Sequence, residues 1–228
     1  MMENNLTLPV DRNFPTKKVC LHTIIMGDYC PEMCKLTVPN LQAYAKKIGA
    51  DFNIISKPKF NGYPPNFERF QVFWDGQDYM YNFCVDADYI LHPDTPDITG
   101  YFDRKCFGSL YWIDVRYNFK WNWYFERDGR NQGIADGLTL STWLSHDVWT
   151  PPKESFDELK ENCLRSERQV SEYMLSLNLA RFGIKFSGIF EDHSYVYTVM
   201  ATSSSLDGTA KESPEKRIRK KLEEWGCL

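Results

Sequence analysis

The 228-residue chain has no apolar stretch long enough to cross a bilayer. Its best run, "VCLHTIIM" at 19–26, is under half of the ~20 residues a spanning helix needs. The opening "MMENNLTLPVDRNFPTKK" is polar and has no apolar core of the kind a secretory leader carries. Net positive charge is missing as well. With 27 Lys and Arg against 31 Asp and Glu the formal charge is −4, which argues against a nucleic-acid-binding surface. Histidine is scarce, at 4 residues, and the 7 cysteines (20, 30, 34, 84, 106, 163, 227) show no zinc-type spacing. They are expected to be reduced thiols, Cys84 and Cys106 acting as small core hydrophobes. There is no internal repeat. These exclusions leave a soluble, cytoplasmic globular protein without a membrane anchor as the expectation.

What the chain does have is aromatic mass, with 7 Trp, 13 Tyr and 15 Phe, enough for a bulky core or for ring platforms that meet sugars or bases. At 43% hydrophobic it can bury a core within a single domain. Residues 17–26 read as a buried strand, and a helix follows from Pro31 to Gly49, with a kink expected at Pro39. A second strand is expected at "DFNIIS", then a helix over "FERFQVFW" capped by Asn66, then the strand "YMYNFCV". That alternation predicts an α/β fold, a mostly parallel sheet flanked by helices. Beyond it, strands are expected over 106–115 and 137–144, and a helix at 166–183 opening on a Ser166–Gln169 capping box. A small polar linker at 201–213 leads to a C-terminal helix at 214–226, preceded by Ser213 and Pro214.

Chemistry concentrates in "NFCVDADYIL", residues 82–91, where a hydrophobic strand runs into Asp86 and Asp88. Like charges so close repel, and in open α/β sheets ligands bind at the carboxyl ends of strands. Residues i and i+2 of an extended segment point the same way, so one cation can face both carboxylates while phosphate oxygens complete its shell.

The stretch "ERFQVFWDGQDYMYNFCVDADYILHPDTPDI" resembles the central block of nucleotide-sugar-dependent glycosyltransferases of GT-A fold, of the small soluble kind found in bacteria and large viruses. The likeness is good over 17–98 and weaker, though in order, to about 197. It implies one catalytic domain over 17–200, with a nucleotide-sugar half at 17–98 and an acceptor half at 99–200. It also implies transfer of a sugar from a nucleotide-linked donor, UDP at the family level, to a glycan, protein or lipid-linked acceptor. By the same resemblance Asp86 and Asp88 hold a divalent cation, Mn²⁺ or Mg²⁺, joined by His193 of "EDHS". Thr23 and Tyr29 of "HTIIMGDY", with Arg69 and Asp86, meet the nucleotide sugar. "NQGIADG" matches a glycine-containing loop facing the acceptor, and "SERQ" an acidic motif at a helix start. Glu167 is the first candidate for the base that takes the acceptor's proton, and Asp136 the second. The family usually shows adjacent Glu-Asp where this chain has Glu167 and Arg168, and the helix dipole alone also favours an acid there. Two other functions fit parts of the pattern. One is a sugar-nucleotide nucleotidylyltransferase, whose glycine-rich loop "HTIIMGDYCPE" lacks; the other is a non-catalytic carbohydrate- or protein-binding module.

Overall fold

A computed structural model describes residues 14–190, 193–199 and 212–228. Most of the polar stretch 201–213 and the Glu191–Asp192 pair of "EDHS" therefore lie outside the described residues. Strand β1 (Lys17–Ile24) begins on two exposed lysines and then buries six residues in a row. Odd positions Val19 and Leu21 pack toward one face of the sheet and Ile24 toward the other, the period of two that a strand between two layers requires. Helix α1 (Pro31–Ile48) and β2 (Asp51–Ile55) follow. Next come a 3₁₀ segment (Pro65–Gln71), the single turn α2 (Val72–Asp75) and β3 (Tyr79–Val85).

The helix expected at 66–76 is thus mostly 3₁₀, and Pro64 stands at its start. The Asn66 amide is drawn away, donating to Ser171 Oγ (2.8 Å) and to the Arg168 carbonyl (3.3 Å). Helix α1 runs unbroken through Pro39. The contacts beside that proline hold it. The Asn40 side chain makes paired hydrogen bonds with the Leu91 backbone (2.7 and 2.9 Å), and Leu41, Tyr44, Ala45 and Ile48 bury against the sheet. Helix propensity is a weak prior beside such packing.

The remaining strands are β4 (Tyr89–Leu91), β5 (Cys106–Ser109), β6 (Trp112–Asp114), β7 (Gln132–Ile134), β8 (Leu138–Thr142), β9 (Lys185–Gly188) and β10 (Val196–Thr198). The main sheet has the order β2-β1-β3-β8-β5-β9. Pairs β1–β2, β1–β3 and β5–β9 are parallel, whereas β8 runs antiparallel to both β3 and β5. The sheet is mostly parallel, as expected, with β8 alone of its six strands reversed. The cause is local: the Gly137 carbonyl accepts from the Asp86 amide (2.8 Å), so the chain enters β8 beside the end of β3 and must run back along it. The strand expected over 106–115 is split in two. The Ser109 hydroxyl sits against the carbonyls of Tyr111 (2.8 Å) and Ala135 (2.6 Å) at the break, and β6 leaves to pair with β7.

Short helices α3 (Val115–Asn118), α4 (Trp123–Asp128) and α5 (Phe156–Lys160) lead to α6 (Val170–Phe182), which covers the face opposite α1. Helix α7 (Pro214–Glu224), capped by Ser213, buries Ile218 and Leu222 against Met33 of α1 and Ile90 of β4. Two such side chains contribute roughly 3–6 kcal/mol of apolar burial. All seven cysteines are free. Among the described residues no helix is long and apolar enough to cross a membrane.

Candidate active site

At the carboxyl end of β3 the acidic pair forms a turn, Asp86 O accepting from Tyr89 N (3.1 Å), and not the extended segment its spacing suggests. The pairing of β4 with β10 closes this turn from one side. It aligns Tyr89 with Thr198, whose hydroxyl donates to Asp88 Oδ2 (2.6 Å). Asp88 is buried, and Asp86 keeps 30% of its side chain exposed.

Arg69 organises the centre. It is fully buried on the 3₁₀ segment, donating from Nε to Asn66 O (2.8 Å) and from Nη2 to Asp86 Oδ1 (2.9 Å). Its Nη1 pairs with Asp136 Oδ2 at 3.3 Å and also donates to the Asp136 carbonyl. Burial works against the guanidinium charge, but Asp136 and Asp86 more than offset it and hold the pKa above the usual arginine value. Burial pushes the Asp86 carboxyl up to about 8; Arg69 pulls it down, and Asp136 and Asp88 push it up again. Asp86 and Asp136 thus share one buried cation.

Ser171, in the first turn of α6, donates to Asp136 Oδ2 while accepting from Asn66, which ties the 3₁₀ segment, the glycine loop and α6 together. One residue on, Glu172 accepts from Gln169 Nε2 (3.0 Å). Its carboxyl is raised to about 8 by burial first and by Asp136 second, with the Gln169 hydrogen bond, Arg69 and the Asp136 amide acting in the other direction. The sequence reading missed Glu172. Its position three residues after Gln169, a charge in the first turn of an otherwise largely apolar helix, was the available signal. The Ser166–Gln169 capping box does not form: Ser166 Oγ accepts from Arg168 N, and Gln169 turns inward to Asn118 Oδ1 (3.2 Å) and Glu172.

The other sequence candidates distribute as follows. Tyr29 stands on the loop after β1, beyond Gly27 (φ +54°), with its ring 38% exposed. Burial raises its phenol, with Asp88, Cys30 and Asp86 adding to the effect. Thr23 is fully buried near the end of β1, and its hydroxyl has no hydrogen-bond partner among the described residues. Glu167 is exposed at the start of the short turn before α6. His193 rests edge-on against the Tyr111 ring, centroids 5.2 Å apart. Tyr89 is a further participant. Burial raises its phenol, helped by Asp86, Asp88, Tyr111 and Asp136. A Cβ at Gly137 would lie 2.4 Å from its hydroxyl oxygen, which is why glycine follows Asp136.

Asp86 and Asp88 offer hard oxygen donors, and this suits a divalent cation completed by phosphate oxygens and water. Among the described residues no group of three His, Cys, Asp or Glu side chains converges as a metal cage, and His193 is not gathered with the pair.

No protein-family model matches the chain, and no curated protein matches it. Solved structures that it resembles include a glycosyltransferase involved in the glycosylation of the major capsid of PBCV-1. The two are 10% identical over 88% of this chain and 99% of that one, with a TM-score of 0.48. A Drosophila beta-1,4-galactosyltransferase 7 variant in complex with manganese, UDP-Gal and xylobiose is 12% identical over 89% and 79%, at 0.42. Galactosyltransferase LgtC, with donor and acceptor sugar analogues, is 13% identical over 73% and 72%, at 0.43. None of these scores reaches 0.5, so they describe a loose likeness of chain path and say nothing of substrate or chemistry.

Proposed function

We propose that the chain is a metal-dependent glycosyltransferase, moving a sugar from a UDP-linked donor to a glycan or glycoconjugate acceptor. The observation that carries this reading is the Asp86–Asp88 turn at the carboxyl end of β3, backed by the Arg69–Asp136 pair. Ligands of α/β sheets bind at that edge. Tyr29 is suited to stack on the nucleotide base, and the unpartnered Thr23 hydroxyl to bond the donor. Asp86 and Asp88 would hold the divalent cation, which when bound supplies positive charge to the departing diphosphate.

The protein's own part is to orient and to move one proton. As the acceptor oxygen bonds to the anomeric carbon and the bond to diphosphate breaks, the hydroxyl proton must leave. We assign that proton to Asp136, the sequence candidate gathered at the centre. Arg69 fixes its carboxylate and Ser171 holds one of its oxygens. Glu167, the other candidate, is too exposed to share the desolvated environment that makes such electrostatics strong.

The test is thermal stability with Mn²⁺ or Mg²⁺ and a panel of UDP-, GDP- and dTDP-sugars. A site of this kind gives a rise only when metal and nucleotide are present together. A ligand at a hundred times its Kd adds about 2.7 kcal/mol, or about 5–10 °C for a chain of this size. A carbohydrate- or protein-binding module gives no metal-dependent nucleotide response, and that result overturns the proposal.

A further inference from the structure

Tyr89 opens β4 one residue after Asp88, and its backbone is fixed from two sides. Its amide donates to Asp86 O (3.1 Å), and across the ladder it faces Thr198, whose hydroxyl holds Asp88. The ring is fixed as well. It lies so close to Gly137 that a Cβ there would stand 2.4 Å from the phenol oxygen and 2.9 Å from Cε2 and Cζ. Gly137 follows Asp136, and its carbonyl accepts from the Asp86 amide. The side chain therefore spans from the acidic turn to the loop that carries Asp136.

The hydroxyl at the end of this held ring has no use inside the protein. Tyr89 is 6% exposed, and its oxygen makes no hydrogen bond among the described residues. Nor is it sealed away as Thr23 Oγ1 is, so the exposed remainder of Tyr89 includes the oxygen. A tyrosine in a core normally finds a protein partner for that group. Phenylalanine would fill the same space if packing were the only requirement.

The groups within electrostatic reach of the phenol come from three segments: Asp86 and Asp88 of the turn, Tyr111 between β5 and β6, and Asp136 of the glycine loop. In the reaction assigned above these groups divide the work. The diphosphate sits at Asp86 and Asp88, and the acceptor hydroxyl gives its proton to Asp136. The sugar in transit is bonded first to one and then to the other, so it must lie between them. Tyr89 spans that interval. Arg69 joins Asp86 and Asp136 too, but from full burial, where a substrate does not reach it.

We propose that the Tyr89 hydroxyl binds the sugar being transferred and so helps to decide which sugar is accepted. The assignment rests on the glycosyltransferase reading and adds a specificity-determining residue to it. A phenol hydroxyl donates one hydrogen bond and accepts others, the same pair of roles that a sugar hydroxyl plays. A site built around such a bond favours a sugar with a hydroxyl at the matching position. It rejects one that lacks it, because the phenol is then left unpaired. Held between the turn and Gly137, the ring is not free to follow a hydroxyl of the opposite configuration.

The experiment compares the full chain with Tyr89→Phe, which removes only the hydroxyl. Both are titrated in Mn²⁺ with UDP, UDP-glucose, UDP-galactose, UDP-xylose and UDP-N-acetylglucosamine, followed by thermal shift. In Tyr89→Phe the affinity for UDP should stay within about twofold, while that for the preferred UDP-sugar falls about tenfold, the worth of one hydrogen bond. The spread of affinities among the sugars should narrow with it. Equal affinities of parent and variant for every ligand overturn the assignment. So does an equal loss for UDP and the UDP-sugars, because Tyr89 then only supports the acidic turn. In both cases the parent's metal-dependent UDP response is intact and the transferase reading survives. A parent without that response defeats the reading, and this assignment with it.

Discussion

Replacing Arg69 with methionine isolates what the buried guanidinium does. Methionine is close in length and apolar, so the substitution removes charge and hydrogen bonds while keeping most of the volume. It strips Asp86 of its 2.9 Å partner and Asp136 of its 3.3 Å partner, and leaves Asn66 O without the Nε donor. Removing one member of a buried ion pair costs about 3–5 kcal/mol, because the remaining charge is left uncompensated. For a chain of this size that corresponds to a fall of about 6–20 °C in Tm. Thermal unfolding at neutral pH without metal measures it. The double variant Arg69→Met with Asp136→Asn should recover part of the loss, since the worst uncompensated charge is then gone. If Arg69→Met melts within about 2 °C of the parent, Arg69 is not the counter-charge of the centre. If the single variant melts low and the double melts lower still, lost packing and not charge is the cause.

Asp88→Asn keeps the shape that meets Thr198 and removes the charge, so the metal–nucleotide stabilisation should vanish while the metal-free Tm stays within about 4 °C of the parent. Turnover with donor affinity measured alongside should fall about 10²–10⁴-fold in Asp136→Asn and stay nearly intact in Glu167→Gln; the reverse pattern would hand the base role to Glu167. Glu172 has a folded-state pKa raised to about 8, so it contributes stability that is fully present below its unfolded value of about 4.3 and lost as pH rises through about 8. The metal-free Tm should therefore decline less between pH 5 and pH 9 in Glu172→Gln than in the parent, and equal slopes would rule Glu172 out as a source of pH dependence. Gly137→Ala drives a methyl group into the Tyr89 ring and should cost about 1–3 kcal/mol by chemical denaturation; a neutral result would mean that Tyr89 swings aside freely.

The sequence by itself determined the layered α/β plan. Alternation such as Val19 and Leu21 against Ile24, and the spacing of Leu41, Tyr44 and Ile48, are periods that local geometry imposes and a reader can count. It also marked Asp86 and Asp88, because charge at the end of an apolar strand is conspicuous wherever the strand lies. Only the tertiary structure decided what surrounds them. Nothing near Arg69 in the chain distinguishes it from a solvated arginine, and its partner Asp136 lies sixty-seven residues on. The direction of β8 depended on the Asp86–Gly137 backbone bond, and the inward turn of Gln169 and the part-burial of Glu172 depended on α6 covering the sheet. Periodicity and capping act within a few residues and are written locally. Counter-charge, desolvation and strand order arise between segments far apart in sequence, and their energies exist only once those segments meet.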